Sequence, residues 1–164
     1  MDEYTTHHGC LELLPEHASR GLHFLKDFLP AYDAIGSLNT PPPLGKFLFH
    51  DTTFNHGEGS VIRSAVELNL IRFRSQYVSS RSRKIRVAKD DEGPEGTRRV
   101  SIESTLTIVY KNHLPGASIV IKELVLLLLS PTDDPSQGSH GLKFSRLAEQ
   151  IRAEKMCFQG SYIN

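Results

Sequence analysis

The chain has 164 residues, 38% of them hydrophobic, which is enough for one domain with a single buried core. The 19 basic side chains balance 19 acidic ones, so the net charge gives no reason to expect nucleic acid or an anionic membrane as a partner. Cys10 and Cys157 match no metal-binding or redox spacing, and residues 1–10 lack the apolar stretch of a signal peptide. We therefore expect one cytoplasmic domain over residues 1–164, with flexible ends at about 1–14 and 158–164.

Helical periodicity dominates the first half of the chain. Apolar side chains at helical spacing predict a first helix over Pro15–Ile35, which Pro30 should bend or split because proline lacks the N–H donor. The proline-led segment Leu44–Phe49 predicts a short helix, and His50–His56 predicts a brief extended piece. A third helix is predicted from Ser60, a suitable N-cap, to about Tyr77.

Strand patterns dominate the second half. Alternation from Arg83 predicts a strand that ends at a polar surface loop, Asp90–Gly96. Two long aliphatic and β-branched stretches, Arg99–Asn112 and Ala117–Ser130, predict a hairpin that turns at Leu114-Pro115-Gly116. This hairpin is the strongest structural signal in the chain.

The even-length loop of the hairpin places two sets of side chains on one apolar face. That face carries Ile102, Ser104, Leu106, Ile108, Tyr110, Ile119, Ile121, Glu123, Val125 and Leu127. The opposite face mixes polar side chains with Leu124, Leu126 and Leu128, and a monomer would expose this aliphatic patch. We therefore expect a homodimer that forms sheet against sheet through the opposite face.

A basic group surrounds the predicted surface loop. It consists of Arg81, Arg83, Lys84, Arg86, Arg98 and Arg99. Much of its charge is neutralised by four neighbouring acidic residues, Asp90, Asp91, Glu92 and Glu95. The group is therefore typical of a solvated sheet edge rather than of a surface that binds nucleic acid.

The last regular segment, Leu142–Met156, is ambiguous from its residues alone. Its alanine, glutamate, glutamine and arginine content favours a helix. Its alternation, interrupted by a bulge, favours a strand.

Three stretches of the sequence resemble a known family. The run FLPAYDAIGSLNTPPPLGKFLFHDTTFNHG, Phe28–Gly57, has an AYD helix end, a proline-led short helix and a D-x-x-F strand. In these features it is similar to SnoaL-like proteins of the nuclear transport factor 2-like superfamily from fungal natural-product pathways. The runs RRVSIESTLTIVYK and ASIVIKELVLLLLS resemble that family's strand pair. The resemblance implies a cone-shaped α+β barrel, in which N-terminal helices pack on a strongly bent antiparallel sheet and Leu142–Met156 is the last strand.

The same resemblance implies a function. Members of the family are usually dimers without a cofactor that isomerise, cyclise, dehydrate or rearrange a small organic molecule inside the cone. It implies an isomerase or cyclase acting by acid-base catalysis on a polyketide- or terpenoid-type intermediate of fungal secondary metabolism. A dehydratase or pericyclase is one alternative, and a non-catalytic module that binds a small molecule or a partner is another. The sequence has no Gly-rich phosphate loop and no G-x-S-x-G elbow, which leaves proton transfer as the chemistry.

Glu123 is the first candidate for that chemistry. A carboxylate among Ile121, Val125 and other aliphatic side chains should have a raised pKa, which would make it a general acid or base. The alternatives are a buried carboxylate neutralised by an arginine, or a register in which Glu123 points to solvent. Ser104 shares its face and is a candidate for substrate binding.

His50 and Asp51 are the second candidates. A histidine beside a carboxylate can be oriented for proton transfer, but adjacent strand residues point to opposite faces. Asp51 fits a junction cap equally well. His56 is a candidate for substrate binding, and the spacing of these three residues matches no strong metal motif, so no metal is expected.

Two tyrosines and four charged residues complete the predicted site. Tyr32 and Tyr110 project from apolar stripes, where a phenol can bond a substrate oxygen or simply belong to the core. The charged candidates are Arg72, Arg74, Glu149 and Arg152. An arginine of the third helix would hold an oxygen on which charge develops, with Arg72 in the catalytic role and Arg74 in substrate binding.

Overall fold

The computed structural model describes residues 3–34, 47, 53–56, 60–63, 77–111 and 117–158. One α-helix, α1, spans Arg20–Asp33. The strands are β1 (Thr6–His8), β2 (Thr53–His56), β3 (Ser60–Arg63), β4 (Val78–Glu92), β5 (Arg98–Tyr110), β6 (Ala117–Pro131) and β7 (Leu142–Phe158). Short 3-10 helices lie at Leu11–Leu13 and Pro94–Gly96.

The strands form one sheet in the order β1-β4-β5-β6-β7-β2-β3. All neighbours are antiparallel except β2 and β7, which run parallel. The N-terminal segment, which the sequence predicts to be flexible, contributes β1. This strand pairs with Val87–Lys89, on the edge of β4 opposite β5. The four long strands β4 to β7 are therefore all inside the sheet.

The predicted hairpin is confirmed, and so are the two sets of side chains that share its apolar face. β5 and β6 are antiparallel with Ser104 opposite Glu123 and Ile102 opposite Val125. The turn itself, residues 112–116, lies outside the described residues. The last segment is a strand, as the family resemblance implied, because its alternating apolar residues pair with β6 along their whole length.

The predictions for residues 60–92 need correction. Ser60 does not cap a helix: Ser60–Arg63 is a strand, since Val61 and Ile62 favour extended backbone and pair with β2. Residues 64–76 of the predicted third helix lie outside the described part of the chain. β4 begins at Val78 rather than Arg83 and continues through Asp90 to Glu92, so the predicted loop shortens to a turn around Pro94–Gly96.

Helix α1 begins later than predicted and passes through Pro30 without a break. The Ser19 hydroxyl accepts a hydrogen bond from the Leu22 N–H at 3.4 Å, and this cap starts the helix at Arg20. Pro30 removes the N–H that would reach the carbonyl of Lys26. Burial of the side chains on either side of Pro30, Leu29 and Ala31 among them, offsets that loss, and the helix continues to Asp33. The predicted short helix lies outside the described residues apart from Phe47.

The core lies between α1 and the inner face of the sheet, which we define as the face carrying Ile102, Glu123 and Val125. The largest fully buried side chains here are Phe24, Phe28, Leu22, Leu25, Ile102, Leu127, Leu129, Leu142, Leu147 and Val100. The sheet residues in this set come from β5, β6 and β7, so the long strands supply one wall of the core and α1 the other.

A buried carboxylate fixes the start of α1 on the sheet. Asp90 Oδ2 accepts hydrogen bonds from the Gly21 N–H at 3.0 Å and from Arg98 Nη1 at 2.9 Å. Arg98 in turn forms an ion pair with Glu3 of the N-terminal segment at 3.2 Å. Position 21 must be glycine, because a Cβ there would overlap the Asp90 carboxylate. A carboxylate is also favourable at the positive end of a helix dipole.

The Gly21→Ala variant tests this docking. Alanine is the better helix former, yet its Cβ would push Asp90 away, so we expect the free energy of unfolding to fall by about 1–3 kcal/mol, the usual cost of overpacking. Urea denaturation followed by circular dichroism measures the change. Lys26→Ala, at an exposed position of the same helix, should shift it by less than about 0.5 kcal/mol. A Gly21→Ala variant as stable as the parent would contradict the close contact.

Candidate active site

The structure places Glu123 on the inner face of the sheet, in the middle of β6. It is 4% exposed, and it lies opposite Ser104 of β5 and Ile151 of β7. Its carboxylate forms a hydrogen-bonded ion pair with Arg83 of β4. Of the two orientations that the sequence allowed, the structure therefore has the buried one, and the carboxylate has an arginine partner.

Arg83 lies at the centre of a buried polar network. Its Nε and Nη2 donate to the two oxygens of Asp33, at 2.8 and 3.1 Å, in the side-on geometry typical of arginine and carboxylate. Its Nη1 donates to the Ser104 hydroxyl at 2.7 Å and to the carboxylate of Glu123. One guanidinium thus connects the end of α1 with β5 and β6.

A second arginine reaches the same aspartate. Arg81 Nη1 lies 3.1 Å from Asp33 Oδ1 and donates a hydrogen bond of 3.2 Å to the Tyr32 carbonyl. Its guanidinium also lies over the Tyr32 ring, 5.4 Å from the centroid, which is a favourable cation–π distance. The two arginines and the two carboxylates of Asp33 and Glu123 carry no net charge together.

The surroundings of Arg83 keep it charged. Burial on its own would lower the pKa of Arg83, but the hydrogen bonds and negative charges of Asp33 and Glu123 outweigh burial and raise the pKa above its ordinary value. The network therefore holds a charged arginine between the side chains of Asp33 and Glu123, in a site largely shielded from water.

A cavity of about 210 Å³ opens beside this network. Asp33 and Arg83 lie in its wall, and Asp33 is the more accessible carboxylate, since its side chain is 16% exposed against 3% for Glu123. The other lining residues are Cys10, Leu11, Glu12, Lys26, Leu29, Pro30 and Ile85. The wall therefore combines five apolar side chains with four charged ones, and two of the charged ones, Asp33 and Arg83, belong to the network.

The N-terminal wall of this cavity is held by a buried histidine. His7 is 5% exposed, and its Nε2 lies 2.8 Å from the Cys10 carbonyl. Because a carbonyl only accepts, Nε2 carries the proton, and Nδ1 accepts from the Tyr4 hydroxyl at 3.0 Å. Both ring nitrogens are thus used to fix the chain just before Leu11.

The predicted site residues fall into three groups. Tyr32 is buried in an aromatic stack, 5.3 Å from the Phe28 ring, and Tyr110 is half-buried near the far end of β5. In the backbone register, His56 of β2 pairs with Glu149 of β7. Glu149 in turn pairs with Val125 of β6, a residue of the inner face. Arg152 lies at an irregularity in the pairing of β7 with β6. The remaining predictions, His50, Asp51, Arg72 and Arg74, fall outside the described residues.

The sequence prediction missed the partners of Glu123. It assigned Arg81, Arg83 and Arg98 to a solvated sheet edge, and this was wrong, because all three side chains are at most 9% exposed. Arg81 and Arg83 pair with Asp33 at the end of α1, and Arg98 pairs with Asp90 and Glu3. Arg81 and Arg83 alternate with serine and lysine, which is the signal that places them on one face. Asp33 belongs to the AYD motif, which in the sequence indicates only the end of a helix.

No group of three or more histidine, cysteine, aspartate or glutamate side chains in the described residues has the geometry of a metal site. No described helix combines the length and apolar character needed to cross a bilayer.

Comparisons with solved structures identify the fold. The chain is similar to a proposed scytalone dehydratase from Novosphingobium aromaticivorans, with a TM-score of 0.64 and 13% identity over 82% of this chain and 86% of the other. It is similar to the hexachlorocyclohexane dehydrochlorinase LinA-type3 from Novosphingobium barchaimii, with a TM-score of 0.63 and 11% identity over 88% and 94%. A nuclear transport factor 2-like protein from Salmonella enterica gives a TM-score of 0.60 and 16% identity over 85% and 93%. No protein-family model and no curated protein matches the sequence.

Replacing Arg83 tests whether the network stabilises the fold. Arg83→Met keeps an apolar stem but leaves two buried carboxylates without their shared cation, so we expect the free energy of unfolding to fall by about 3–5 kcal/mol. Arg83→Lys should recover part of the loss, because lysine keeps the positive charge but lacks the planar guanidinium that bonds both carboxylates. The measurement is urea unfolding at neutral pH.

Arg86→Met is the matched control on the same strand. Arg86 is exposed, and within the described residues its one ion pair is with Glu103 at the surface, so its loss should cost less than about 1 kcal/mol. If Arg83→Met cost no more than Arg86→Met, the buried network would not be what holds α1 to β6.

Proposed function

Because the chain has the cone-shaped α+β fold of nuclear transport factor 2-like proteins, we propose that it is a cofactor-independent enzyme that moves a proton on a small organic molecule. One observation carries the proposal: the nearly buried Arg83 bonds Asp33 and Glu123 at once, and its Asp33 end opens on a cavity of about 210 Å³. Fixed charges in a site shielded from water are the arrangement that stabilises a charged transition state.

Asp33 is the proposed proton acceptor. It is the carboxylate of the network that lines the cavity, and Arg83 fixes the orientation of both its oxygens. Each carboxylate oxygen has two lone pairs, and Oδ2 accepts one hydrogen bond from the described residues, so it keeps an acceptor position for a substrate proton. A positioned base of this kind contributes about 100 to 10,000-fold in rate.

The two arginines supply donors for the oxygen on which charge develops. Arginine has five N–H groups, and four of those of Arg83 are used by Asp33, Ser104 and Glu123. Among the residues that the structure describes, the fifth, on Nη2, has no acceptor. Within the described part of the chain, Nε and Nη2 of Arg81 have no hydrogen-bond acceptor. These donors are the ones that a substrate carbonyl, or the enolate formed from it, would use.

Glu123 and Ser104 hold Arg83 in place from the sheet side. Glu123 is also the alternative proton carrier, as proposed from the sequence. Tyr110 and the residues outside the described ranges, His50, Asp51 and Arg72, remain proposed contributors to the oxygen-binding side.

The reaction that we propose begins with removal of a proton from carbon. Two of the similar structures are named as a dehydratase and a dehydrochlorinase, enzyme classes that eliminate water or hydrogen chloride, and this supports an elimination. Isomerisation or cyclisation begins with the same step. The proposed substrate is a small polyketide- or terpenoid-type intermediate of the kind that the resemblance to fungal SnoaL-like proteins implies.

A non-catalytic binding module is the second candidate function. Phe24, Phe28 and Tyr32 stack along α1 with centroids 5.9 and 5.3 Å apart, and Phe47 packs against the edge of this stack. These rings fill the space on that side of the helix with the protein's own side chains. A module of this class would bind small molecules without changing their mass or exchanging their protons.

Isotope exchange separates the two candidates. The protein is incubated in deuterated buffer with a panel of cyclic ketones, hydroxyketones and haloalkanes, and products are read by mass spectrometry. Deuterium in the recovered compound, a product of equal mass, or loss of water or hydrogen halide would each support the enzyme. Binding of a compound without exchange or product, across the panel, would support the module.

Two conservative variants then show whether Asp33 or Glu123 accepts the substrate proton. Asp33→Asn keeps shape and removes the base, so we expect turnover to fall at least about 100-fold while the fold survives. Glu123→Gln still accepts from Arg83, so its effect should be less than about tenfold if Glu123 only positions the arginine. Asp27→Asn, on the same helix but bonded to Ser139 and His140, should leave turnover unchanged. A larger fall for Glu123→Gln than for Asp33→Asn would assign the proton to Glu123.

A further inference from the structure

The cavity beside the buried network extends along α1. Its lining residues on the helix side lie at helical spacing, and so form one stripe: Lys26, Leu29, Pro30 and Asp33. Lys26 and Asp33 are seven positions apart, which puts their backbones about 10 Å apart along the helix axis. The network of Asp33 and Arg83 therefore lies at one end of the cavity, and Lys26 lies at the other.

The opposite wall comes from the 3-10 helix Leu11–Leu13 and the residue before it. The lining residues on this side are Cys10, Leu11 and Glu12. The Cys10 carbonyl accepts hydrogen bonds from His7 Nε2 at 2.8 Å and from the Leu13 N–H at 3.1 Å. Glu12 is therefore carried by a stretch of backbone that is fixed in place, although its side chain is exposed.

The part of the cavity between its two ends is apolar and small. Leu11 and Leu29 are buried, and Ile85 packs against the core. An apolar cavity of about 150 Å³ is large enough for a benzene ring. The cavity here, of about 210 Å³, therefore has room for a single ring with one or two small substituents.

The outer end of the cavity presents two charges of opposite sign. Glu12 and Lys26 both line it, yet within the described residues neither forms an ion pair, with the other or with a third group. A carboxylate only accepts hydrogen bonds and an ammonium only donates them. A hydroxyl group does both, so it can satisfy the two side chains at once. A ligand carboxylate would instead be repelled by Glu12, and a ligand ammonium by Lys26.

We propose, on the premise of the proton-transfer function above, that the substrate is an uncharged ring compound with a carbonyl on one side and a hydroxyl on the opposite side. The carbonyl and the adjacent C–H group meet Arg83 and Asp33, where the proton is removed. The hydroxyl donates to Glu12 and accepts from Lys26. These two residues therefore determine specificity, and they take no part in the proton transfer itself.

A matched series of four ketones tests this specificity with the intact chain. The compounds are cyclohexanone and its derivatives with a hydroxyl, a carboxylate or an ammonium group at C4. Deuterium exchange next to the carbonyl, measured by mass spectrometry and divided by the uncatalysed rate, gives kcat and KM, and NMR titration gives the binding constant. We expect the 4-hydroxy compound to have the highest kcat/KM. The difference should lie mainly in KM, because the hydroxyl is remote from the reacting carbon.

Two glutamine variants should change the preference in opposite directions. Glu12→Gln leaves Lys26 as the only charge at the outer end, so kcat/KM for the 4-carboxylate should rise at least about threefold relative to the 4-hydroxy compound. Lys26→Gln should favour the 4-ammonium compound to the same extent. Glu16→Gln and Arg20→Gln, at exposed positions outside the cavity, should leave both ratios unchanged. A merely structural role would not reverse the preferred charge, and circular dichroism checks that each variant is folded.

The specificity and the proposed function can fail separately. If exchange occurs but cyclohexanone or a charged derivative is preferred, or the two glutamine variants leave the preferences unchanged, the proposal for Glu12 and Lys26 is wrong and the enzyme remains. If no compound undergoes exchange, the proposed function fails for this series and binding alone decides. Preferential binding of the 4-hydroxy compound, altered by both variants, would then support the site. Equal binding of all four compounds, or binding of none, would overturn it.

Discussion

The contact of Arg83 with Asp33 and Glu123 is the interaction on which the rest of the structure depends. It joins the last turn of α1 to the second and fourth strands of the sheet order, across sequence separations of 50 and 40 residues. Charges this deeply buried persist only when they are paired and hydrogen-bonded, so removing any member leaves the others unstable. The same constraint holds the far end of the helix, where Asp90 joins Gly21 to Arg98. Helix and sheet are thus joined by charge at both ends and by apolar packing between.

Local pattern was enough to predict the hairpin and the side of it that Glu123 occupies. Alternation has a period of two residues, so once the loop length is even, Ser104 and Glu123 must lie on the same face of the hairpin. The partner of Glu123 was not predictable in this way, because nothing in β4 alone indicates that Arg83 meets β6 across β5. The burial of Arg83 and Arg81 depends on Asp33 at the end of α1, a tertiary contact that the pattern of β4 does not indicate. The sequence does not predict the strand at Ser60–Arg63, because a short apolar run fits both the helical and the strand periodicity.

The charge distribution shows why the net charge of the sequence is a poor guide to binding partners. The carboxylates of Asp33, Asp90 and Glu123 lie inside, where they neutralise buried arginines, or at the helix end. Lysines on the alternate positions of the same strands lie outside without such compensation. A balanced total therefore arises from an interior that is neutral pair by pair and an outer surface that is basic. Period-two patterning separates the two sets as effectively for charge as for hydrophobicity.

The short strands at the two ends of the sheet order have a consequence for solubility. In the described part of the chain, the outermost strands are β1, with three residues, and β3, with four, while every strand of 13 to 17 residues has neighbours on both sides. A long strand with a free side offers a row of unpaired amides and carbonyls to other molecules, which is a common start of aggregation. Thr6–His8 therefore covers one stretch of the edge of β4, Val87–Lys89. Proteolysis between Gly9 and Leu11 would release this strand and expose the backbone of that stretch to pairing with other molecules.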